Sequence, residues 1–192
     1  MNQCIRYLLA FVLTIPLLTG CLPRFAIGTA AGTGTYISED RRTSGMFIED
    51  EAIELKSARR IHQQLGNSVH INITSFNRIV LLTGEAPTEA SKENIEKLIM
   101  GVDNVRKIHN EIAVAGNSSL ASRSNDTLVT SKVKARFLAE RKFQINHVKI
   151  VTENGIVYLL GMVTHQEAEN AAQIASSTAG VRKVIKVFEY LN

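Results

Sequence analysis

IVLLTG, residues 79–84, comes back as IVYLLG at residues 156–161. Each is a short, mostly apolar run rich in β-branched residues and closed by glycine, which reads as a strand rather than a helix. The flanks recur as well. Gly101-Val-Asp-Asn-Val105 matches Gly180-Val-Arg-Lys-Val184, and Asp50-Glu-Ala-Ile53 matches Asp126-Thr-Leu-Val129, with an offset that grows only from 76 to 79 residues. So small a drift marks a tandem duplication, and the fold must be sought in one copy and then doubled.

The copies span residues 46–114 and 126–192, separated by AGNSSLASRSN at 115–125, a Ser- and Asn-rich stretch that reads as a linker. Within each, the pattern predicts helix, strand, strand, helix, strand. Val69, Ile71 and Ile73 alternate as a half-buried strand should, and Val148, Ile150 and Thr152 repeat the alternation. Asn154-Gly155 is a strong hairpin signal, because both central positions of the favoured turn need positive φ; Asn77-Arg78 is its weaker counterpart. Gly84 and Gly161 are expected to end the second strand, Thr88 and Thr164 to cap the second helix, and Gly101 and Gly180 to close it. The predicted class is α+β, each module packing two helices on one face of a three-stranded sheet. A module this small buries only about 60% of its unfolded surface and should lean on its twin.

Ahead of the modules, Arg6 precedes an apolar run, YLLAFVLTIPLL, of signal-peptide length and too short for a comfortable membrane span. Leu18-Thr19-Gly20-Cys21 follows and resembles a bacterial lipobox. That resemblance implies cleavage after residue 20, lipidation of Cys21 and, with Leu22 rather than aspartate next, an address in the periplasmic leaflet of the outer membrane. Three acyl chains exceed what stable anchoring requires. Residues 22–45, rich in Gly, Ala and Thr, read as a flexible tether. Cys4 leaves with the signal and Cys21 carries lipid, so no disulfide is expected.

The sequence advertises no catalytic or cofactor chemistry. There is no nucleophile elbow, phosphate loop or paired metal-ligand spacing. The histidines, His62, His70, His109, His147 and His165, stand one to an element, and no metal site is expected from them. Glu89, Glu93, Glu96, Glu167 and Glu169 are spaced for a solvated helix face. The pI of about 9.2 raises nucleic-acid binding, but aromatics make up only 6% of the chain and are not interleaved with basic residues.

Charge divides unequally between the copies. Residues 46–115 hold eight Lys and Arg against ten Asp and Glu, a balance of −2, whereas residues 126–192 hold nine against six, a balance of +3. The basic copy suits an anionic surface. In its first helix, expected to begin at Asp126, Val129, Val133 and Phe137 form a stripe shared with Ile53 and Ile61, and the shared stripe is core. The other stripe is centred on Leu128 beside Lys132, Lys134 and Arg136, and is replaced in the first copy by Ala52 between Glu51 and Glu54. An exposed apolar residue among cations has the composition of an interfacial contact. Alternatively, Leu128 packs against the first module.

The matched glycines, the two Gly-Val turns, Ser124-Asn-Asp-Thr127, Thr152-Glu-Asn-Gly155 and the tandem copy behind a lipobox resemble the BON domain (bacterial OsmY and nodulation) as found in dual-BON outer-membrane lipoproteins. The resemblance implies binding of anionic phospholipid, chiefly phosphatidylglycerol, by the second domain, and a role in outer-membrane integrity and at division sites. The expected site is then Leu128, Lys132, Val133, Lys134 and Arg136, with Cys21 as the lipidation site and no cofactor or metal. The competing expectation is a periplasmic adaptor docking onto an outer-membrane assembly or division protein.

Overall fold

A computed structural model describes residues 40–66, 68–116 and 118–191. Cys21, the signal segment and most of the tether lie outside the described residues. The first module runs α1 (Ser44–Leu65), β1 (His70–Phe76), β2 (Ile79–Ala86), α2 (Glu89–Met100), β3 (Lys107–Asn110) and β4 (Ala113–Val114). The second runs α3 (Leu120–Glu140), a 3₁₀ turn (Ile145–His147), β5 (Val148–Glu153), β6 (Ile156–Val163), α4 (His165–Ser176) and β7 (Lys183–Tyr190). The predicted element order and α+β class are therefore observed twice.

Both sheets are mixed. β2 pairs antiparallel with β1, Phe76 opposite Ile79, and parallel with β3, Val80 opposite Ile108. β4 continues along the same edge of β2, with Glu85 opposite Ala113, so one interrupted strand does in the first module what β7 does unbroken in the second. The parallel step needs a crossover, and α2 or α4 supplies it. Thr88 caps α2 by accepting the Ser91 amide, and Thr164 with Glu167 forms a full capping box on α4.

Both hairpins have two positive φ values at the turn: Asn77 at 49° and Arg78 at 65°, Asn154 at 50° and Gly155 at 72°. The first copy thus holds an arginine where glycine is the low-cost choice, at about 1–2 kcal/mol. What compensates is a buried aspartate on the first helix of each module. Asp50 accepts the Asn77 and Arg78 amides, both at 2.8 Å; Asp126 accepts those of Asn154 and Gly155 at 2.9 and 2.7 Å. The two matched aspartates do not open their helices, as expected from sequence, but sit in them and clamp the turn below.

The helices begin about six residues earlier than that expectation. Thr43 and Ser119 are the N-caps, their side chains accepting the amides of Met46 and Ser122. Half of the stretch read as a linker is consequently helical, since a capped Ser-rich turn looks like a loop until the helix behind it is counted. The end of the presumed tether is likewise held. Arg42 pairs with Asp40 at 2.7 Å and Asp50 at 3.0 Å and lies 4.0 Å above the Phe76 ring, while Arg41 reaches Glu167 at 2.7 Å.

Gly84 and Gly161 lie inside β2 and β6 rather than ending them. A Cβ at either would stand 2.0 Å from the His70 carbonyl oxygen or 2.2 Å from that of His147, so only glycine lets the strands approach.

The core has three parts. Ile53 and Ile61 pack with Ile95, Ile99, Val80 and Leu82 under the first pair of helices; Val129, Val133 and Phe137 pack with Ile174, Val157 and Leu159 under the second. The third joins the modules: Phe76, Ile79 and Leu81 meet Tyr158, Leu160 and Val187 sheet face to sheet face. β2 is buried along its whole length, because its alternate residues serve helices on one side and the twin sheet on the other.

Candidate functional site

Helix α3 is apolar on two sides. Its inner side, Val129, Val133 and Phe137, is closed in the core, and Asp126 on the same side locks the helix to the β5–β6 turn. Its outer side leaves Leu120 79%, Leu128 59% and Leu138 58% exposed. At roughly 100° per residue, counted from Leu128, Leu120 and Leu138 both stand at about 280° and Ala135 at about 340°, with Lys134 near 240° and Lys132 near 40°. The result is a line of three exposed leucines about 27 Å long, interleaved with the exposed Ser124, Thr127 and Ser131 and carrying a lysine on each flank. Lys132 and Lys134 are exposed, and among the described residues neither has a carboxylate within 4.0 Å.

Two of the expected site residues do not belong to this surface. Val133 is fully buried, because it lies on the stripe that faces the sheet, and it cannot meet a ligand at the surface. Arg136 is already occupied. Its Nη1 donates to the Ile174 carbonyl at 3.0 Å, Ser177 Oγ at 2.8 Å and Thr178 Oγ1 at 3.2 Å, and its Nη2 donates to Glu140 at 2.7 Å. It closes the last turn of α4, whose carbonyls have no helical partner, and so fastens α3 to α4. Nor does Leu128 pack against the first module, since more than half of it stays exposed.

Leu120 and Leu138 were missed for different reasons. Leu120 lay in the presumed linker; Leu138 falls about 80° from Leu128 and joins the line only once the helix is long enough to show it. Beyond Leu138 the chain turns at Arg141, φ 49°, into an open cavity of about 560 Å³ lined by Leu138, Arg141, Lys142, Phe143 and Ile145. Phe143 meets Phe137 edge to face at 4.8 Å and gives this cavity an apolar floor beside two cations.

At the same end, burial disfavours the Glu167 carboxylate, but donation from Arg41, the Thr164 amide and His147 outweighs it and holds the carboxyl down at about 2. Glu167 is therefore no member of a solvated face; it receives both Arg41 Nη1 at 2.7 Å and Nη2 at 2.9 Å.

The first copy offers no equivalent surface. Glu54, expected outside, turns inward to accept the Ser75 amide at 2.8 Å and Lys149 at 3.0 Å across the module boundary. The exposed side of α1 carries Phe47, Ile48 and Leu55 with Glu51 and Arg59 alongside, a face of mixed sign. Among the described residues no helix is long and apolar enough to cross a membrane.

A family model described as "BON domain" matches residues 49–116 and 125–192. Among curated proteins the chain is 37% identical to "Outer membrane lipoprotein DolP" of Haemophilus influenzae, with 91% of each chain covered. It is 35% identical to the "21 kDa hemolysin" of Actinobacillus pleuropneumoniae over 79% of each, and 30% identical to "Osmotically-inducible protein Y" of Escherichia coli over 93% of this chain and 92% of that one.

Proposed function

The chain belongs to the BON-domain family, with two BON domains, and we propose that it is an outer-membrane lipoprotein whose second domain binds anionic phospholipid through the outer face of α3. The observation that carries this reading is the line of exposed leucines Leu120, Leu128 and Leu138 with Lys132 and Lys134 on its flanks, neither lysine having a carboxylate within 4.0 Å among the described residues. Leucines of this exposure lose unfavourable hydration on entering the acyl boundary, and lysines on both sides meet headgroup phosphates. A lysine near an anionic surface contributes about 1 kcal/mol, so the patch alone binds weakly. Lipid on Cys21 supplies the rest, because a tethered domain meets the bilayer at high effective concentration.

The likeness to a relative named as an outer-membrane lipoprotein over 91% of the chain supports the address, the lipobox supports the anchor, and Leu22 in place of aspartate supports the leaflet. Maintenance of the outer membrane, with recruitment to division sites, is the corresponding role. No catalytic step is assigned.

The second reading, an adaptor for an outer-membrane assembly or division complex, draws on Phe47, Ile48 and Leu55 of α1, an apolar face whose mixed charges suit a protein partner. One experiment separates them. Residues 22–192 are mixed with phosphatidylglycerol or phosphatidylcholine vesicles and amide shifts are followed. Shifts along residues 120–142 with the anionic vesicles alone support lipid binding; the absence of shifts with either sinks it.

A further inference from the structure

The five histidines are scattered in the sequence, yet folding gathers three metal-ligating side chains at the seam between the modules. His70 opens β1, Glu85 lies opposite it on β2, and Glu153 ends β5 of the second module. One ligand atom from each lies within 4.8 Å of the other two, and His70 Nδ1 is 3.0 Å from Glu85 Oε2. Glu85 is 1% and Glu153 7% exposed, while His70 is half-buried.

The carboxylates are positioned reciprocally. Asn72 of the first module donates to Glu153 Oε2 at 2.7 Å, and Asn154 of the second donates to Glu85 Oε1 at 3.1 Å. Each glutamate is therefore oriented by an amide from the other module, in the way that outer hydrogen bonds orient metal ligands. Glu85 Oε2 is left facing His70, and Glu153 Oε1 makes no hydrogen bond among the described residues.

The electrostatics call for a cation. Two carboxylates this close and this buried repel one another. Among the described residues no Lys or Arg lies within 4.0 Å of either; Arg123, on the same cavity, donates to Ser118 instead. A cavity of about 250 Å³, lined in part by His70, Asn72, Thr152 and Glu153, gives a hydrated ion room to enter.

We propose that His70, Glu85 and Glu153 bind one divalent transition-metal ion of the zinc class, water completing its coordination. One imidazole and two carboxylates suit a borderline cation of this kind, whereas an all-oxygen set would suit magnesium or calcium. Because the ligands come from both modules, the ion clamps the seam. The proposal does not depend on the lipid-binding reading.

The test uses the full chain in detergent, with Cys4→Ser and Cys21→Ser so that no thiol competes, stripped by chelator and titrated with zinc chloride by calorimetry and thermal unfolding. One ion per chain is expected, with a rise in the unfolding midpoint. His70→Gln and Glu153→Gln should each weaken binding about tenfold or more, whereas His62→Gln, on the exposed side of α1, should not. Glu153→Gln should also raise the midpoint of the metal-free chain while abolishing the zinc-induced rise, a pattern that a merely misfolded variant does not give. Absence of saturable zinc binding, or binding that survives both His70→Gln and Glu153→Gln, overturns the proposal.

Discussion

Asp126 Oδ1 accepts the Gly155 amide at 2.7 Å, joining the first helix of the second module to a hairpin turn 29 residues further along the chain. With Asn154 on the other oxygen, one buried carboxylate satisfies both turn amides, and Asp50 does the same in the first module.

Removing this clamp leaves two amides of a tight turn without partners. Asp126→Ala is expected to destabilise the protein by about 2–4 kcal/mol, and Asp126→Asn by somewhat less, since its amide keeps one acceptor. Urea denaturation followed by circular dichroism measures both; a loss below about 0.5 kcal/mol for the alanine variant would show the clamp to be dispensable.

The two sides of α3 are expected to separate in a paired experiment. Leu128→Ser and the pair Lys132→Glu, Lys134→Glu should leave stability within about 0.5 kcal/mol and remove binding of residues 22–192 to anionic vesicles. Val133→Ala should cost about 1–3 kcal/mol and leave vesicle binding intact below its unfolding temperature. Flotation with vesicles alongside thermal unfolding reads both quantities; equal vesicle binding by the charge-reversed pair would move the site off this helix.

Glu167 predicts a pH dependence. Its folded pKa of about 2 lies below the ordinary value of 4.5, so the ionised carboxylate favours the folded state. That contribution, on the order of 2–3 kcal/mol, is fully present above about pH 4.5 and is lost as the pH falls toward 2. Arg41→Ala should lower stability at neutral pH and flatten the decline across that window relative to the parent chain. Denaturant melts at pH 7, 4.5 and 3 compare the two; parallel curves would detach Arg41 from Glu167.

The face-to-face sheets predict that the modules unfold together. Leu81→Ala, which opens a gap in the core that Leu160 shares, should cost about 2–5 kcal/mol and lower hydrogen-exchange protection in β6 as well as in β2. Loss of protection confined to the first module would mean that the seam contributes little.

The repeat carried most of the fold in plain view. Alternation in β1 and β5, Asn154-Gly155 and the caps Thr88 and Thr164 are local signals, and each marks the element it appeared to mark. Relations across long stretches of chain were not legible in this way. Asp50 and Asp126 looked like helix openings because a carboxylate reaching a turn some 28 residues away leaves no periodic trace. One long-range feature did leave a trace. IVLLTG and IVYLLG are apolar without alternation, which is what a strand buried on both faces requires, and the packing of sheet on sheet follows. In the candidate site, Leu128, Lys132 and Lys134 were found by comparing the copies. Val133 did not belong there even by its spacing, which already put it on the core stripe, and Arg136 was misjudged because helical spacing gives direction around an axis but not the neighbour that fills it.

The sheet-to-sheet seam also makes the chain, in effect, a dimer written on a single polypeptide. Two separate copies of such a module would dissociate as they thinned out across a membrane, each then exposing an apolar sheet face. Covalent linkage removes dilution from that equilibrium, so a molecule present in few copies per cell stays as fully assembled as one present in thousands.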